Sequence, residues 1–316
     1  MQAIVFETYG EPDVLQIREV ALPDPGPGQV RVAVYAAGTN PVDTGSRRGS
    51  TWSGVRAPAI PGCDASGVID AVGPGVRQFA PGDEVYYMVD VLNNQRGTYA
   101  QYHVADAAII ARKPRALSHV DAAAIPLAAG TAYETIVHRL TLTQGEWVLM
   151  YGAAGGVGTF AVQFAVAQGA QVIAVARAHH HSLLQELGAM ACLDYTTQDV
   201  LVEAETIAGR KLDAVADFVG GKTLARSLGS MRPYGRVASI VGLQGDLDLL
   251  LDLNLTLHGI LVHPDQKRLE TFNALVSSGA LRPIIDQVLP LAEAAQAHQR
   301  LETGHGQGKI VLKVRE

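Results

Sequence analysis

The stretch Gly145-Glu146-Trp147-Val148-Leu149-Met150-Tyr151-Gly152-Ala153-Ala154-Gly155-Gly156-Val157-Gly158 constrains the fold more than any other part of the chain. Its apolar run, 147–151, ends in a glycine-rich turn that opens directly into Thr159-Phe160-Ala161-Val162-Gln163-Phe164-Ala165. The order is strand, tight turn, helix. A turn of this kind aims free backbone N–H groups and the positive end of a helix at one spot, which suits a pyrophosphate. Ala153-x-Gly155-x-x-Gly158 fits the dinucleotide fingerprint, with alanine in the first glycine place. Any small-residue helix packed closely on a strand produces the same letters, so the flanking sequence has to decide.

Beyond the turn, strand-like and helical segments alternate. Apolar strand-like runs lie at 147–151, 171–176, 191–194, 214–218, 236–241 and 256–262, with helical runs between most of them. Six strands with crossover helices predict a parallel, doubly wound sheet. The glycine turn then follows the first strand, which is the context a dinucleotide site requires.

The first third reads instead as β structure. Gln29-Val30-Arg31-Val32-Ala33-Val34-Tyr35-Ala36-Ala37 alternates apolar and polar residues, and Pro23-Asp24-Pro25-Gly26-Pro27-Gly28 before it is loop chemistry. Runs 67–73 and 83–88 are further strands, separated by Gly-Pro and Pro-Gly turns, and together they predict a compact, barrel-like domain. Near residue 115 the texture turns helical. Ser118 can cap a helix through Val120-Asp121-Ala122-Ala123-Ala124, and 131–137 is a second helical stretch. Past residue 264, helices at 266–278 and 291–303 and a last strand at 309–314 return to complete the first domain. The expected class is α/β, with one domain at 1–121 and 265–316 and a second at 122–264.

Composition excludes several functions. With 316 residues, 48% hydrophobic and 18% charged, the chain can bury a large core and fits two domains. A net charge of −6 gives no reason to expect nucleic acid or an anionic membrane as partner. No run is long enough to span a bilayer, and Met1-Gln2-Ala3-Ile4-Val5-Phe6-Glu7 lacks a basic targeting segment. Cys63 and Cys192, far apart, fit a reducing compartment without a disulfide framework. The expectation is a cytoplasmic protein.

An acidic side chain about 20 residues past the glycines accepts from the ribose 2′-OH in NAD-type sites. Here that region reads Val175-Ala176-Arg177-Ala178-His179-His180-His181-Ser182, without a carboxylate. Arg177 and the histidines offer donors, and a guanidinium matches phosphate bidentately. The spacing therefore predicts NADP(H), with Arg177 and His181 at the phosphate. A solvated basic turn, or a stray metal-binding histidine run, is the bland alternative.

The chain resembles the zinc-free medium-chain dehydrogenase/reductases, in the quinone oxidoreductase or zeta-crystallin branch. Gly38-Thr39-Asn40-Pro41-Val42-Asp43, Pro61-Gly62-Cys63-Asp64-Ala65-Ser66-Gly67-Val68-Ile69, Thr131-Ala132-Tyr133 and Gly152 to Gly158 carry the resemblance. Gly97-Thr98-Tyr99-Ala100-Gln101-Tyr102 and Gly308-Lys309-Ile310-Val311-Leu312 extend it over nearly the whole chain. It implies a GroES-like β-barrel catalytic domain built from both termini and a Rossmann domain with a six-stranded parallel sheet between them. Zinc-bearing relatives carry a cysteine near the position of Asn40 and Gly-His-Glu where Gly62-Cys63-Asp64 stands. Asn40 is a poor ligand and Cys63 is alone, so no metal is expected here.

The resemblance implies that Asn40 lies beside the nicotinamide and holds a water or the substrate oxygen; an Asn-Pro turn residue is the alternative. It places Thr131 at the nicotinamide, Tyr195 near the adenosine phosphate, and the backbone of Gly152, Ala153, Ala154, Gly155, Gly156, Val157 and Gly158 at the pyrophosphate. Val219 with Gly220-Gly221, and Val241-Gly242-Leu243, follow the fourth and fifth strands at the switch point. Lys309 reaches the cofactor or is a surface lysine at a strand start. Asp64 reads as a buried hydrogen-bonding carboxylate.

In one place the pattern departs from the family. Zeta-crystallin-like members place a tyrosine five residues after the asparagine, and here the sequence is Asp43-Thr44-Gly45. The proton then comes from solvent or from another residue, Tyr87 or Tyr133, each of which core packing explains equally well. The leading expectation is an NADPH-dependent, metal-free reductase of a quinone or α,β-unsaturated carbonyl compound. The alternatives are an enoyl-thioester reductase, or a catalytically weak NADPH-binding structural or regulatory protein. A homodimer or homotetramer is expected, with the apolar edge strand 256–262 as the pairing surface.

Overall fold

The computed structural model describes residues 1–316 and divides the chain into two compact units, Met1–Ala128 with His263–Glu316, and Ala129–Val262. The first division therefore falls inside a helix, Pro126–Tyr133, rather than at residue 121.

The first unit is built on a seven-stranded sheet. Strand Gln29–Gly38 is its organiser: it pairs antiparallel with Asp64–Val72, Tyr102–Asp106 and Lys309–Lys313. The apolar alternation that predicts this strand is what buries Val30, Val32 and Val34 on one face. Strand Ile285–Pro290 runs parallel to Lys309–Lys313 at one edge, and Glu84–Met88 and Ala111–Arg112 extend the other. The late strands thus enter the same sheet as the early ones. Helix His119–Ala123 is capped as expected, with Ser118 Oγ accepting from Asp121 N at 3.1 Å. Helix Pro41–Arg47 is pinned to helix Ala294–Glu302 by the buried Arg47 guanidinium, which donates to Glu302 and, at 2.9 Å, to Gly10 O.

The second unit carries the doubly wound sheet. Its six strands are all parallel and lie in the order Ala191–Leu193, Gln171–Val175, Trp147–Tyr151, Leu212–Asp217, Met231–Ser239, Thr256–Gly259. The strand order reverses beside Trp147–Tyr151, the point at which such folds bind ligands. Leu149, Ile173, Val215 and Val237 are each 0% exposed, which explains why these strands read as continuous apolar runs.

Two of the elements that differ from expectation do so for reasons the hydrogen bonds show. The edge strand stops at Gly259 because its partner ends at Ser239, the last residue registered against it. The helical stretch at 131–137 is the end of helix Pro126–Tyr133 followed by a π-helical turn, Glu134–Arg139, in which Leu140 N donates to Thr135 O at 2.9 Å. Glu134 accepts from both His138 and Arg139, so the wider turn is held by side chains from its own far end.

Candidate active site

In the second unit the glycine turn has the geometry its residue types demand. Gly152 adopts φ +70°, a left-handed conformation that favours glycine, and Gly155 N donates back to Gly152 O at 3.1 Å. A Cβ at Gly158 would lie 2.2 Å from Gly152 O, so glycine there lets the helix start against the strand end. Helix Gly156–Ala167 makes its first bond from Thr159 N to Gly155 O. The N–H groups of Gly156, Val157 and Gly158 precede that bond and have no acceptor within the helix. A Cβ at Gly155 would meet only Gly152 O, at 3.4 Å, so the mouth of the turn is open for a phosphate.

The loops after the next two strands are tied together beside it. Asp217 Oδ1 accepts from Val219 N and Gly220 N, while its Oδ2 is buried without a partner. Gly221 N donates to Gly242 O and Gln244 N to Gly221 O, which joins Val219–Gly221 to Val241–Leu243. Val219 is 59% and Val241 39% exposed, both at the carboxyl ends of parallel strands.

At the end of strand Gln171–Val175, Arg177 Nε donates to Tyr195 Oη at 3.1 Å. His181 Nε2 donates to Ala176 O, which turns the imidazole onto the same segment. The structure adds Asp194 here, a residue the sequence reading passed over. Its carboxylate accepts from Ala178 N and from Thr196, holding the turn that bears Tyr195 against the turn that bears Arg177. These hydrogen bonds hold its pKa below the usual carboxylate range.

The first unit holds a buried polar cluster. Asn40 precedes helix Pro41–Arg47; its Nδ2 donates to Asp64 Oδ2 at 3.0 Å, and its Oδ1 accepts from Lys309 Nζ at 2.6 Å. Lys309 also donates to Thr39 O at 2.7 Å and stands 3.7 Å from Asp64 Oδ2. Asp64 Oδ1 accepts from Leu127 N at 2.8 Å. On the other side of Asn40, Asp43 Oδ2 accepts from Asn40 N and Tyr99 Oη, both at 2.9 Å, and Cys63 Sγ lies 3.5 Å from Asp43 Oδ1. Burial raises the pKa of both carboxylates, Asp43 to about 6, and lowers that of Lys309, while the Lys309–Asp64 attraction opposes the shift in each partner. Burial and the nearby Asp43 push the Cys63 thiol well up, which keeps it protonated.

Lys309 is thus no surface lysine: it is 4% exposed and its ammonium is engaged within the first unit. Tyr87 does not serve as a free phenol. It is fully buried, its hydroxyl is bonded to His103 Nδ1 at 2.9 Å, His103 Nε2 donates to Arg96 O, and burial weakens its acidity. Tyr133 is packed edge-on against Phe164 and His138 in the second unit. Thr131 is buried near it, with its carbonyl accepting from Thr135 Oγ1.

Two family patterns match the chain: residues 26–115 fit the alcohol dehydrogenase GroES-like domain, and residues 187–312 fit the zinc-binding dehydrogenase pattern. Pig (Sus scrofa) quinone oxidoreductase is 31% identical over 327 residues, covering 99% of this chain and 97% of that protein. The chloroplastic NADPH-dependent alkenal/one oxidoreductase of Arabidopsis thaliana is 30% identical, covering 99% and 79%. Among solved structures, Escherichia coli quinone oxidoreductase complexed with NADPH superposes with a TM-score of 0.90 at 29% identity, covering 99% of this chain and 100% of that one. The chain belongs to the medium-chain dehydrogenase/reductases, in the quinone oxidoreductase branch.

As a member of that family it is an oxidoreductase that binds a nicotinamide dinucleotide. The glycine turn and the exposed valines fit such a cofactor, since both sit at the carboxyl edge where the strand order reverses. No group of three or more His, Cys, Asp or Glu side chains is placed to hold a metal ion. No helix is long and apolar enough to cross a membrane.

Proposed function

We propose that this oxidoreductase reduces a quinone or an α,β-unsaturated carbonyl compound with NADPH, without a metal. The observation that carries the reading is the setting of Asn40. Lys309 holds its Oδ1 and Asp64 holds one hydrogen of its Nδ2, so the second N–H, which has no protein acceptor, remains to be offered. Gly152–Gly158, Val219 and Val241–Leu243 would hold the dinucleotide, Thr131 would stand at its nicotinamide, and Arg177, His181 and Tyr195 would meet a 2′-phosphate. The bound reduced nicotinamide supplies the hydride.

Reduction at the β-carbon breaks the C=C π bond and moves an electron pair onto the carbonyl oxygen. A donor aimed at that developing charge lowers the barrier, and Asn40 Nδ2 provides it. Solvent supplies the proton that completes the two-electron reduction, because Gly45 brings no phenol, Tyr87 is occupied by His103 and Tyr133 is packed edge-on against Phe164 and His138. The quinone reading is favoured over the enoyl-thioester reading for the same reason: a reduced quinone takes its protons from water unaided. We place the protein in the cytoplasm, as a homodimer or homotetramer paired through the edge strand Thr256–Gly259, whose outer side has no partner strand.

Stopped-flow NADPH oxidation against a panel of quinones, alkenals and enoyl thioesters tests the proposal. Turnover with quinones or alkenals supports it. Tight NADPH binding without turnover on any of them replaces it with the structural or regulatory alternative.

A further inference from the structure

A side-chain amide is a degenerate device. Rotated by half a turn, it exchanges its acceptor and donor ends at almost no intrinsic cost, so an isolated asparagine offers a ligand either one. Asn40 is not isolated. A cation sits on its oxygen and an anion on its nitrogen: Lys309 Nζ at 2.6 Å from Oδ1, and Asp64 Oδ2 at 3.0 Å from Nδ2. The exchanged rotamer would bring Nδ2 against an ammonium and Oδ1 against a carboxylate. The two charges also face one another at 3.7 Å, which closes a ring of three groups. The ring is anchored outside itself by Thr39 O on the lysine and Leu127 N on the aspartate. Lys309, Asn40 and Asp64 are 4%, 4% and 0% exposed, so water does not screen these contacts.

Resting on the reduction proposed above, we infer that Lys309 and Asp64 are positioning residues for Asn40, fixing it as a hydrogen-bond donor and strengthening that donor. The ammonium on Oδ1 draws electron density through the amide, which increases the positive charge on the Nδ2 hydrogens. Asp64 engages one of those hydrogens and leaves a single N–H of set direction. The same amide without Lys309 is free to turn its oxygen toward the substrate, where it would repel the charge that develops on the carbonyl. The aminoalkyl group of Lys309 is committed to Thr39 and Asn40 on this account, and makes no contact with the nucleotide.

A double-mutant cycle separates positioning from bulk structure. Lys309→Met, Asn40→Ala and the double variant are compared for kcat with a quinone that the native enzyme reduces, for NADPH dissociation by nucleotide fluorescence, and for thermal unfolding. Lys309→Met alone is expected to lower kcat by about 10- to 100-fold, the cost of a misplaced reacting group, with NADPH affinity unchanged. Added to Asn40→Ala, it is expected to cost no more than about 2-fold, because its effect runs through Asn40. Lys309→Arg, which keeps the charge, is expected to recover most of the loss. Equal losses on both backgrounds, an unchanged kcat, or a loss of NADPH affinity that accounts for the effect would each overturn the assignment. Should Lys309→Met not fold, Lys309→Met with Asp64→Asn removes the buried charges together and enters the same cycle; native kcat in that variant would equally overturn it. If the native enzyme reduces nothing on the panel, the reading that fails is the reductase. The orientation of Asn40 is then read without turnover, from its side-chain 15N–H2 resonances. Side-chain N–H protons that keep their chemical shifts and exchange protection in Lys309→Met, or in the uncharged double variant, would refute the inference, and loss of that protection with a shift toward free-asparagine values would support it.

Discussion

Arg177 Nε donates to Tyr195 Oη at 3.1 Å, joining the ends of two neighbouring parallel strands across 18 residues of sequence. The bond holds the guanidinium where the second strand of the nucleotide sheet ends, with no carboxylate of its own turn to neutralise it. Arg177→Asp is expected to lower the ratio of kcat/KM for NADPH over NADH by about tenfold or more, the value of a charge-assisted contact to phosphate. Steady-state kinetics with both nucleotides measure it, and an unchanged ratio removes Arg177 from the phosphate site.

Asp43 sets a pH dependence on stability. Burial lifts its pKa from 3.8 to about 6 in the folded chain, against the opposing hydrogen bond from Tyr99. The folded state therefore binds this proton more tightly than the unfolded state. The stability this contributes is present below about pH 4 and is lost as pH rises through about 6, on the order of 3 kcal/mol at about 1.4 kcal/mol per pH unit. Asp43→Asn preserves the acceptor for Asn40 N and Tyr99 and is expected to flatten the urea-unfolding profile between pH 4 and 6.5. A profile of unchanged slope would rule Asp43 out as its source.

His298 acts with the opposite sign. It is fully buried, edge-on to Tyr99, and neither ring nitrogen has a partner. Burial, reinforced by the nearby positive Arg47, lowers its pKa from 6.5 to about 3. Its neutral form is favoured in the fold, so stability is intact above pH 6.5 and drains as pH falls toward 3. His298→Phe keeps a ring in the same place and removes two unsatisfied nitrogens. It is expected to stabilise the protein by about 1–3 kcal/mol at pH 8 and by about 2 kcal/mol more at pH 5. Denaturant titrations at the two pH values measure both terms, and a gain that does not grow at pH 5 counts against a neutral His298.

Gly45 occupies an interior position of helix Pro41–Arg47 without needing to be glycine. A Cβ there would meet only Ser50 Cβ, at 3.8 Å, and the residue is not left-handed. Gly45→Ala is expected to raise stability by about 0.5–1 kcal/mol, the entropy a glycine loses in a helix. Gly45→Tyr restores the phenol found in zeta-crystallin-like relatives and is expected to raise turnover of enoyl thioesters relative to quinones. A tyrosine variant that folds and leaves this ratio unchanged would show that solvent already supplies the proton.

The nucleotide sheet is legible in the sequence because parallel strands buried on both faces read as apolar runs, and 147–151, 171–176 and 191–194 mark three of them to within a residue. The glycine turn is legible because φ at Gly152 and the close approach at Gly158 admit almost no other residue. The polar cluster is not. Asn40, Asp43, Asp64, Tyr99 and Lys309 are assembled by register across antiparallel strands and by a helix cap, and none of these contacts leaves a periodic trace. The family-like segments that contain them were the one signal available. Lys309 shows the limit most clearly: in sequence it is a charged residue opening a strand, and only the pairing of Val311 with Gly38 carries its ammonium to Thr39 and Asn40. The π-helical turn after Tyr133 is invisible for a related reason: the helix ends with it, so no helical run follows in which a shifted hydrophobic phase would show.

The junction of strand Lys309–Lys313 with strand Gln29–Gly38 also orders events in time. During synthesis the residues of the entire nucleotide unit emerge between these two strands, so that unit is free to fold while its host is still missing a central strand. Asn40 waits, exposed, for a lysine made 269 residues later. Until then the asparagine lacks the cation that holds its oxygen, and a polypeptide cut short of residue 309 would retain the glycine turn proposed to grip a dinucleotide while lacking the partner proposed to orient Asn40.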